Sequence, residues 1–454
     1  MTSTRLLTGK LTTKQALVIG AWYAGLLLSV MAWATTSADL LTNGSLGGIL
    51  LAVGRLLGIL ATVFALTQFL LMGRILWIER PFGLDHLASY HRFNGYAAIT
   101  LILLHPLLVV AGYAVAGRAN YITTYLEVIQ RYSYVWWALI AELLFGLVVV
   151  TSIYIVRHRL KFESWYSVHL LAYAAIVLVF FHQFAVGGSF INHPLARAYW
   201  YGVYMFVGLN VLFFRFTLPT LNLVRFGFRV SRVVAETPTT TSVYIRGRNL
   251  GAWRAQPGQF VLVRFLSVPY GLQEHPFSLS AIPANNEFRL TIRHSGDYTN
   301  TIGGLKSETA VLVSGPFGRF TSELAVTDKR LFIAGGVGIT PIRTLIKEAV
   351  AQHKEAVLVY GNRTPDDVVF GAELRAFGPA RLPVTEVYSD PPPAFKGLTG
   401  YVTAELVQQL VLDFKERDIY LCGPPQMMDG IIDGLLADGL SPSQLHFERF
   451  NLHN

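Results

Sequence analysis

The chain has 454 residues, enough for about three domains, with 52% hydrophobic and only 14% charged residues against roughly 25% charged in an ordinary soluble chain. The shortage is uneven: residues 1–218 carry 14 Lys/Arg and 6 Asp/Glu, residues 219–454 carry 23 and 22, and the net charge of +9 divides as +8 and +1. That split excludes a wholly soluble enzyme and a transporter without a soluble portion. It also argues against nucleic acid as a partner, because the positive surplus lies between apolar segments rather than along one surface. One cysteine, Cys422, excludes a disulfide framework and any cysteine-built metal site.

Six apolar stretches are long enough to cross about 30 Å of hydrocarbon: 15–35, 47–73, 88–114, 134–156, 166–187 and 198–218. The first follows Lys10 and Lys14 and holds Ala32-Trp33-Ala34, like a cleavage site, but its apolar run exceeds the usual signal core, so an uncleaved helix is expected. Basic residues set the orientation. The N-terminus, the second connection (Arg74, Arg80) and the fourth (Arg157, Arg159, Lys161) are rich in them, while the first, third and fifth hold only Arg118, Arg131 and Arg197. Both termini and the soluble half are therefore expected on the cytoplasmic side.

After Pro219 the pattern changes. Short β-rich runs at 228–235, 242–246, 259–265, 288–293 and 310–313, separated by turn signals, predict a small antiparallel barrel. From Lys329 strands at 330–334, 356–360 and 418–422 alternate with helical stretches such as 341–352, which predicts an open parallel α/β sheet. The expected fold class is thus a multi-domain membrane protein: a six-helix transmembrane bundle (1–218), an antiparallel β-barrel (219–325) and an α/β parallel-sheet domain (326–454).

Four histidines stand out inside the spans. His91 and His105 lie 14 residues apart in the third, His169 and His182 13 apart in the fifth. At about 1.5 Å per residue each pair is separated by roughly 20 Å, so two levels result, each with one imidazole from each helix. Isolated intramembrane histidines serve as hydrogen-bonding or proton-relay groups. Four at matched depths point instead to axial ligation of two stacked low-spin haems. At about 100° per residue the 14-residue spacing leaves roughly 40° between side chains and the 13-residue spacing about 140°. The fifth helix is therefore distorted, or its side chains reach around it. Arg55 and Arg74, at the two ends of the second span, are candidates for pairing with haem propionates.

Three motifs mark the soluble half. His275-Pro276-Phe277-Ser278-Leu279-Ser280 offers an aromatic and a hydroxyl for a flavin ring, and Arg293 with the backbone around Gly296 suits a pyrophosphate. Gly335-Gly336-Val337-Gly338-Ile339-Thr340-Pro341 follows a strand and opens a helix, so its glycines and amide donors admit a pyrophosphate; a tight turn without ligand is the alternative. Cys422-Gly423-Pro424-Pro425 ends another strand, with Cys422 either a buried thiol or a neighbour of the nicotinamide. Arg363, after the next parallel strand, either meets a ribose 2′-phosphate, which favours NADPH over NADH, or is a solvated surface cation.

In this order and spacing the motifs resemble the NADPH oxidase and ferric reductase superfamily over residues 15–450, in a prokaryotic form. The resemblance implies that His91 and His169 ligate an inner haem b and His105 and His182 an outer one. It implies that His275, Pro276, Phe277, Ser278, Arg293, Gly296 and Thr299 hold FAD. It further implies that Gly336, Gly338, Thr340, Pro341, Arg363, Cys422, Gly423 and Pro424 contact NADPH, with NADH possible. Arg55 falls where the oxidases have an arginine at the outer haem, and Phe450 where the family ends in a flavin-stacking aromatic, although Asn451–Asn454 follow it. Val109 stands one turn beyond His105, where oxidases commonly offer another histidine. No EF-hand loop occurs, so calcium control is not expected.

The resulting expectation is an integral membrane enzyme of a prokaryotic plasma membrane. It passes electrons from NADPH through FAD and two haems to a small outer acceptor, O2 giving superoxide or a ferric chelate, with no obligatory protein partner. Quinone or protein acceptors fit the same chain. A six-span transporter with a regulatory nucleotide-binding domain is the remote alternative.

Overall fold

The computed structural model describes residues 11–449 except 158, 161, 192, 269, 270 and 272. Among the described residues, six helical spans are long and apolar enough to cross a membrane: Thr13–Thr36, Leu46–Met72, Leu84–Gly117, Val135–Ser152, Ser164–Val186 and Pro194–Phe226. Their starts obey ordinary capping chemistry. Thr12 Oγ1 accepts from the Gln15 N–H at 3.3 Å while Gln15 Oε1 accepts from the Thr12 N–H at 2.9 Å, and Ser45 Oγ accepts from the Gly48 N–H at 3.1 Å. Close helix approach falls at glycines: a Cβ on Gly54 would lie 2.9 Å from the Val109 nitrogen, and one on Gly112 2.8 Å from the Leu51 nitrogen.

Two spans depart from regular helix. The fifth is broken between Phe162–His169 and Leu171–Val186. At the break the Tyr173 N–H bonds the Leu170 carbonyl at 3.0 Å, three residues back. That tighter turn overwinds the helix, the direction of rotation that carries His182 towards the face of His169. Of the two alternatives left by the spacing, the distorted helix is the one found. The sixth span continues beyond residue 218. Pro194–Val211 passes through a π turn, Leu212–Thr217, into Leu218–Phe226, and Gly227 (φ +60°) ends it. Pro219 lies in the first turn of the last segment, where a missing N–H costs nothing, so it does not stop the helix.

The first soluble layer has six antiparallel strands: β1 Arg229–Thr237, β2 Thr240–Arg246, β3 Phe260–Phe265, β4 His275–Ala284, β5 Glu287–Arg293 and β6 Val311–Phe317, in spatial order β1-β2-β5-β4-β3-β6. The Val230 N–H donates to the Thr309 carbonyl at 2.9 Å and the Val311 N–H to the Phe228 carbonyl at 3.0 Å, which brings the two edges together as a barrel. Alternate residues fill it, Val243 and Ile245 from β2 and Phe288, Leu290 and Ile292 from β5, all essentially buried.

The second layer is parallel: β7 Lys329–Gly335, β8 Glu355–Asn362, β9 Val384–Tyr388, β10 Leu398–Thr399, β11 Arg417–Cys422 and β12 Leu445–Glu448, in order β10-β9-β8-β7-β11-β12. Both faces are covered. Phe332 and Ala334 of β7 pack on one side and Leu331 and Ile333 on the other. From β7 the chain passes through the helix Ile339–Ala351 to β8 on one flank, and β11 returns on the other flank. The carboxyl ends of β7 and β11 therefore form the topological switch point at which such sheets bind ligands.

Candidate functional site

In the bundle the rings of His91 and His169 have centroids 6.0 Å apart at 57°. His91 faces the Gln68 backbone carbonyl, outside hydrogen-bond geometry. His169 stacks on Trp165 with centroids 5.0 Å apart, and its Nδ1 lies 3.3 Å from Ser152 Oγ. At the other level His105 Nδ1 is 2.7 Å from the Gly54 carbonyl and His182 Nδ1 is 3.3 Å from the Tyr134 carbonyl. His105 and His182 are near enough to interact electrostatically. A carbonyl only accepts, so these bonds place the proton on Nδ1 and leave Nε2 as the lone-pair nitrogen. A Cβ on Gly58 would stand 2.7 Å from His105 Nδ1, so that glycine is the space into which the imidazole fits.

Arg55 packs against Gly188, where an added Cβ would meet its guanidinium at 2.5 Å, and interacts with Tyr113. Tyr113 stacks on Tyr132 with centroids 6.3 Å apart. Arg74 has φ +58° directly after the second span. Sequence reasoning overlooked Arg215. The π turn carries it to the Met72 carbonyl (3.0 Å) and the Tyr166 hydroxyl (2.8 Å), and its charge acts on His169. The available signal was a lone arginine within a hydrophobic run.

In the barrel His275, Pro276, Phe277 and Ser278 open β4. The His275 ring lies 3.9 Å, centroid to centroid, from Tyr298 and 6.3 Å from Phe277, and its Nε2 is 3.2 Å from Gln273 Oε1. Tyr298, within the same stretch as Arg293, Gly296 and Thr299, is thus part of this aromatic group. The Ser295 and Gly296 N–H groups donate to Thr299 Oγ1 at 2.9 and 3.1 Å, so Thr299 closes its own turn. Arg293, exposed at the end of β5, has Nη1 3.8 Å from the place a Gly336 Cβ would occupy. The residue expected at the flavin pyrophosphate and the loop expected at the nucleotide therefore adjoin.

At the switch point the glycines divide by task. Gly335 and Gly338 admit β11 and the turn after it: added Cβ atoms would lie 2.6 Å from Pro424 Cδ and 2.1 Å from the Cys422 carbonyl oxygen, and one on Gly423 would lie 3.1 Å from the Gly335 Cα. Gly336 differs, with φ +52° and only Arg293 nearby. Thr340 and Pro341 are buried, and Thr340 Oγ1 donates to the Val337 carbonyl at 2.9 Å. Cys422 is fully buried beside Phe332 and Ala334. Burial, and then Glu448, push its thiol well above its ordinary value, so it is held neutral. Pro424 caps the helix Pro425–Ala437. Arg363 is exposed at the carboxyl end of β8, 3.5 Å from Asp367. Phe450 lies outside the described residues.

Comparison with known proteins follows the same division. A ferric reductase-like transmembrane component matches residues 57–180, a FAD-binding domain 227–321 and an oxidoreductase NAD-binding domain 332–433. The reductase component of propane 2-monooxygenase from Rhodococcus jostii is 28% identical over 236 residues, 49% of this chain and 62% of that protein. The ferredoxin reductase component of 3-ketosteroid-9-alpha-monooxygenase from Rhodococcus rhodochrous is 30% identical over 234 residues, 49% and 64%. The flavohemoprotein of Candida albicans is 28% identical over 228 residues, 46% and 56%. The chain thus spans less than two thirds of each of these relatives. Among solved structures, a ferredoxin NADP+ reductase from Neisseria gonorrhoeae with bound FAD and NADP aligns at a TM-score of 0.44 and 16% identity, covering 50% of this chain and 99% of that one. The chain thus joins a ferric-reductase-like membrane component, a FAD-binding barrel and a NAD-binding sheet in that order, which is the architecture of the NADPH oxidase and ferric reductase superfamily.

Proposed function

We propose that this enzyme carries electrons from cytoplasmic NADPH by way of FAD and two b-type haems to an acceptor on the outer face of a prokaryotic plasma membrane, with O2, giving superoxide, favoured. The observation that carries the reading is the facing pair His91 and His169, 6.0 Å apart. Half of that separation, about 3 Å, accommodates a metal–nitrogen bond of about 2 Å plus the radius of an imidazole. Among the described residues no group of three or more His, Cys, Asp or Glu is placed to hold a metal ion. A two-histidine site of this kind suits a group that brings its other ligands with it. The residues therefore fit haem, with His91 and His169 holding one and His105 and His182 the other. Haem held by these histidines would supply one-electron carriers between the flavin and the outer acceptor.

The remaining work belongs to the chain. The Gly54 and Tyr134 carbonyls orient the His105 and His182 rings, and Gly58 leaves room for the first. Phe277, Ser278, His275 and Tyr298 frame the flavin, and Arg293 stands between its pyrophosphate and the Gly336 loop. Cys422, a neutral thiol, shapes the floor of the nicotinamide crevice rather than acting as a nucleophile. Arg363 is the cation available to a 2′-phosphate and supports NADPH over NADH.

Arg55, held between Gly188 and Tyr113, supports a small anionic product such as superoxide leaving from its vicinity. Val109, against Gly54 and without a second imidazole, favours the other reading, a ferric-chelate reductase. Quinone or protein acceptors would use the same chain of carriers. The test begins with anaerobic addition of NADPH to the haem- and FAD-loaded protein, followed by air and a superoxide probe. Low-spin b-type bands are expected to appear and then decay as superoxide forms. The His105→Leu variant is expected to keep flavin reduction while acceptor reduction falls by at least about a hundredfold. Unchanged acceptor reduction in that variant would overturn the scheme.

A further inference from the structure

Outside the two ligand crevices, a charged cluster lies between the barrel and the parallel sheet. From the barrel come Arg289 on β5, only 4% exposed, Glu236 on β1, Tyr244 on β2 and the Ser280 carbonyl on β4. From the sheet domain come Arg343, on the helix Ile339–Ala351 that the Gly335–Gly338 loop opens, Phe370, which caps the short helix Gly371–Arg375, and Glu373 within that helix. Glu373 meets both arginines. Arg289 Nη1 and Nη2 donate to its two carboxylate oxygens at 2.9 and 3.4 Å, and Arg343 Nε donates to Oε2 at 2.7 Å. Arg343 Nη1 also donates to the Ser280 carbonyl at 2.6 Å. Both guanidiniums lie over Phe370, at 4.3 and 5.3 Å from the ring centroid.

We infer that Glu373 is a positioning residue for hydride transfer: by neutralising one arginine from the flavin barrel and one from the nucleotide helix, it sets the register of the two domains. The inference rests on the flavin and nicotinamide assignment of these domains. In the reaction the nicotinamide gives up a hydride, two electrons with one hydrogen, and FAD accepts it. Its rate depends on the distance and alignment of the two rings. Arg343 sits five residues beyond Gly338 on a helix that packs on β4, the strand carrying Phe277 and Ser278. A shift of that helix is a shift of nicotinamide against flavin.

The cluster is also asymmetric. Without the Glu373 carboxylate, Arg289 and Arg343 face the same phenyl ring with, among the described residues, Glu236, 3.7 Å from Arg289, to offset them. Attraction across the interface becomes repulsion between two largely buried cations. Burial pushes the Glu373 carboxyl up, but the two guanidiniums outweigh it and hold it below its ordinary value, so it is ionised at neutral pH.

The test is anaerobic stopped-flow reduction of FAD by NADPH in the full-length holoprotein. Glu373→Gln is expected to slow flavin reduction by about tenfold at saturating nucleotide, with the KM for NADPH changed by less than about threefold. Raising salt from about 0.02 to about 0.5 M is expected to restore part of that loss while leaving the parent enzyme level, because screening weakens repulsion. Glu373→Asp, which keeps the charge, and Glu373→Gln combined with Arg343→Met, which removes one of the repelling cations, are both expected to recover most of the rate. A wild-type rate in Glu373→Gln would overturn the inference. So would a loss that tracks lost FAD or lower thermal stability and does not respond to salt. Absence of flavin reduction in the parent enzyme would instead refute the flavin and nicotinamide assignment itself.

Discussion

The membrane bundle and the parallel sheet hold their key residues by opposite means. In the bundle the candidate groups are polar exceptions in apolar helices: His91, His105, His169, His182, Arg55 and Arg215. Hydrocarbon tolerates such groups only where something receives them, so their presence is itself information. In the sheet the candidate residues are mostly glycines, prolines and a buried thiol. Three of the four loop-and-turn glycines at the switch point are already required by packing: Gly335, Gly338 and Gly423 make room for the close passage of β7 and β11, and only Gly336 opens onto free space. A motif that reads as ligand-binding is therefore, residue by residue, largely a device for bringing two strand ends together, which in turn creates the crevice.

That contrast can be broken by substitution. The His105→Leu experiment tests its largest effect, loss of electron delivery from a single polar exception with the fold intact. Gly338→Ala tests the sheet. Its Cβ would fall 2.1 Å from the Cys422 carbonyl oxygen, a backbone atom that cannot step aside. A loss of about 3 kcal/mol is expected, read as a lower melting temperature of the soluble half together with weakened nucleotide binding. Normal stability with impaired binding would instead make Gly338 a ligand residue.

Asp418 comes next. It is fully buried and accepts from the Val326 and Thr327 N–H groups (3.0 and 2.7 Å), the Thr327 hydroxyl (2.8 Å), Arg330 (3.3 Å) and His446 Nε2 (2.8 Å), pinning the linker between barrel and sheet. Burial pushes its carboxyl up, but His446, Thr327 and the linker amides hold it below its ordinary value of 3.8. A carboxyl lowered in the native state stabilises above that ordinary value and loses its contribution as pH falls through the lower native one. Asp418→Asn is expected to cost about 2 kcal/mol at neutral pH and to flatten the acid unfolding profile below pH 3.8. An unchanged acid profile would remove Asp418 from that role.

The smallest effect belongs to Gly336→Ala. The site is open, and the left-handed backbone adds only about 1 kcal/mol of strain, so stability is expected to change little while the KM for NADPH rises severalfold. Equal behaviour of the alanines at 336 and 338 would erase the distinction between packing and ligand glycines.

The amino-acid sequence alone determined what depends on local pattern. Charge depletion located the membrane half, short β-rich runs between turn signals marked the barrel, and strands alternating with helical stretches from Lys329 announced a parallel sheet. Four histidines at two depths were visible because their spacing within two apolar spans repeats at matched levels. Strands β9, β10 and β12 were not among the runs read from the sequence. At Pro219 the sequence pattern changes from one apolar run to short β-rich runs. Only the preceding π turn shows that this proline begins a further helical segment instead. Tertiary structure decided how the fifth span reconciles its 13-residue spacing, which glycines serve packing, and that Arg289, Arg343 and Glu373 meet although 54 and 30 residues separate them in turn. No spacing rule reaches across such distances. Contacts of that kind arise from two domains closing on one another, and the chain order of the residues carries no trace of them.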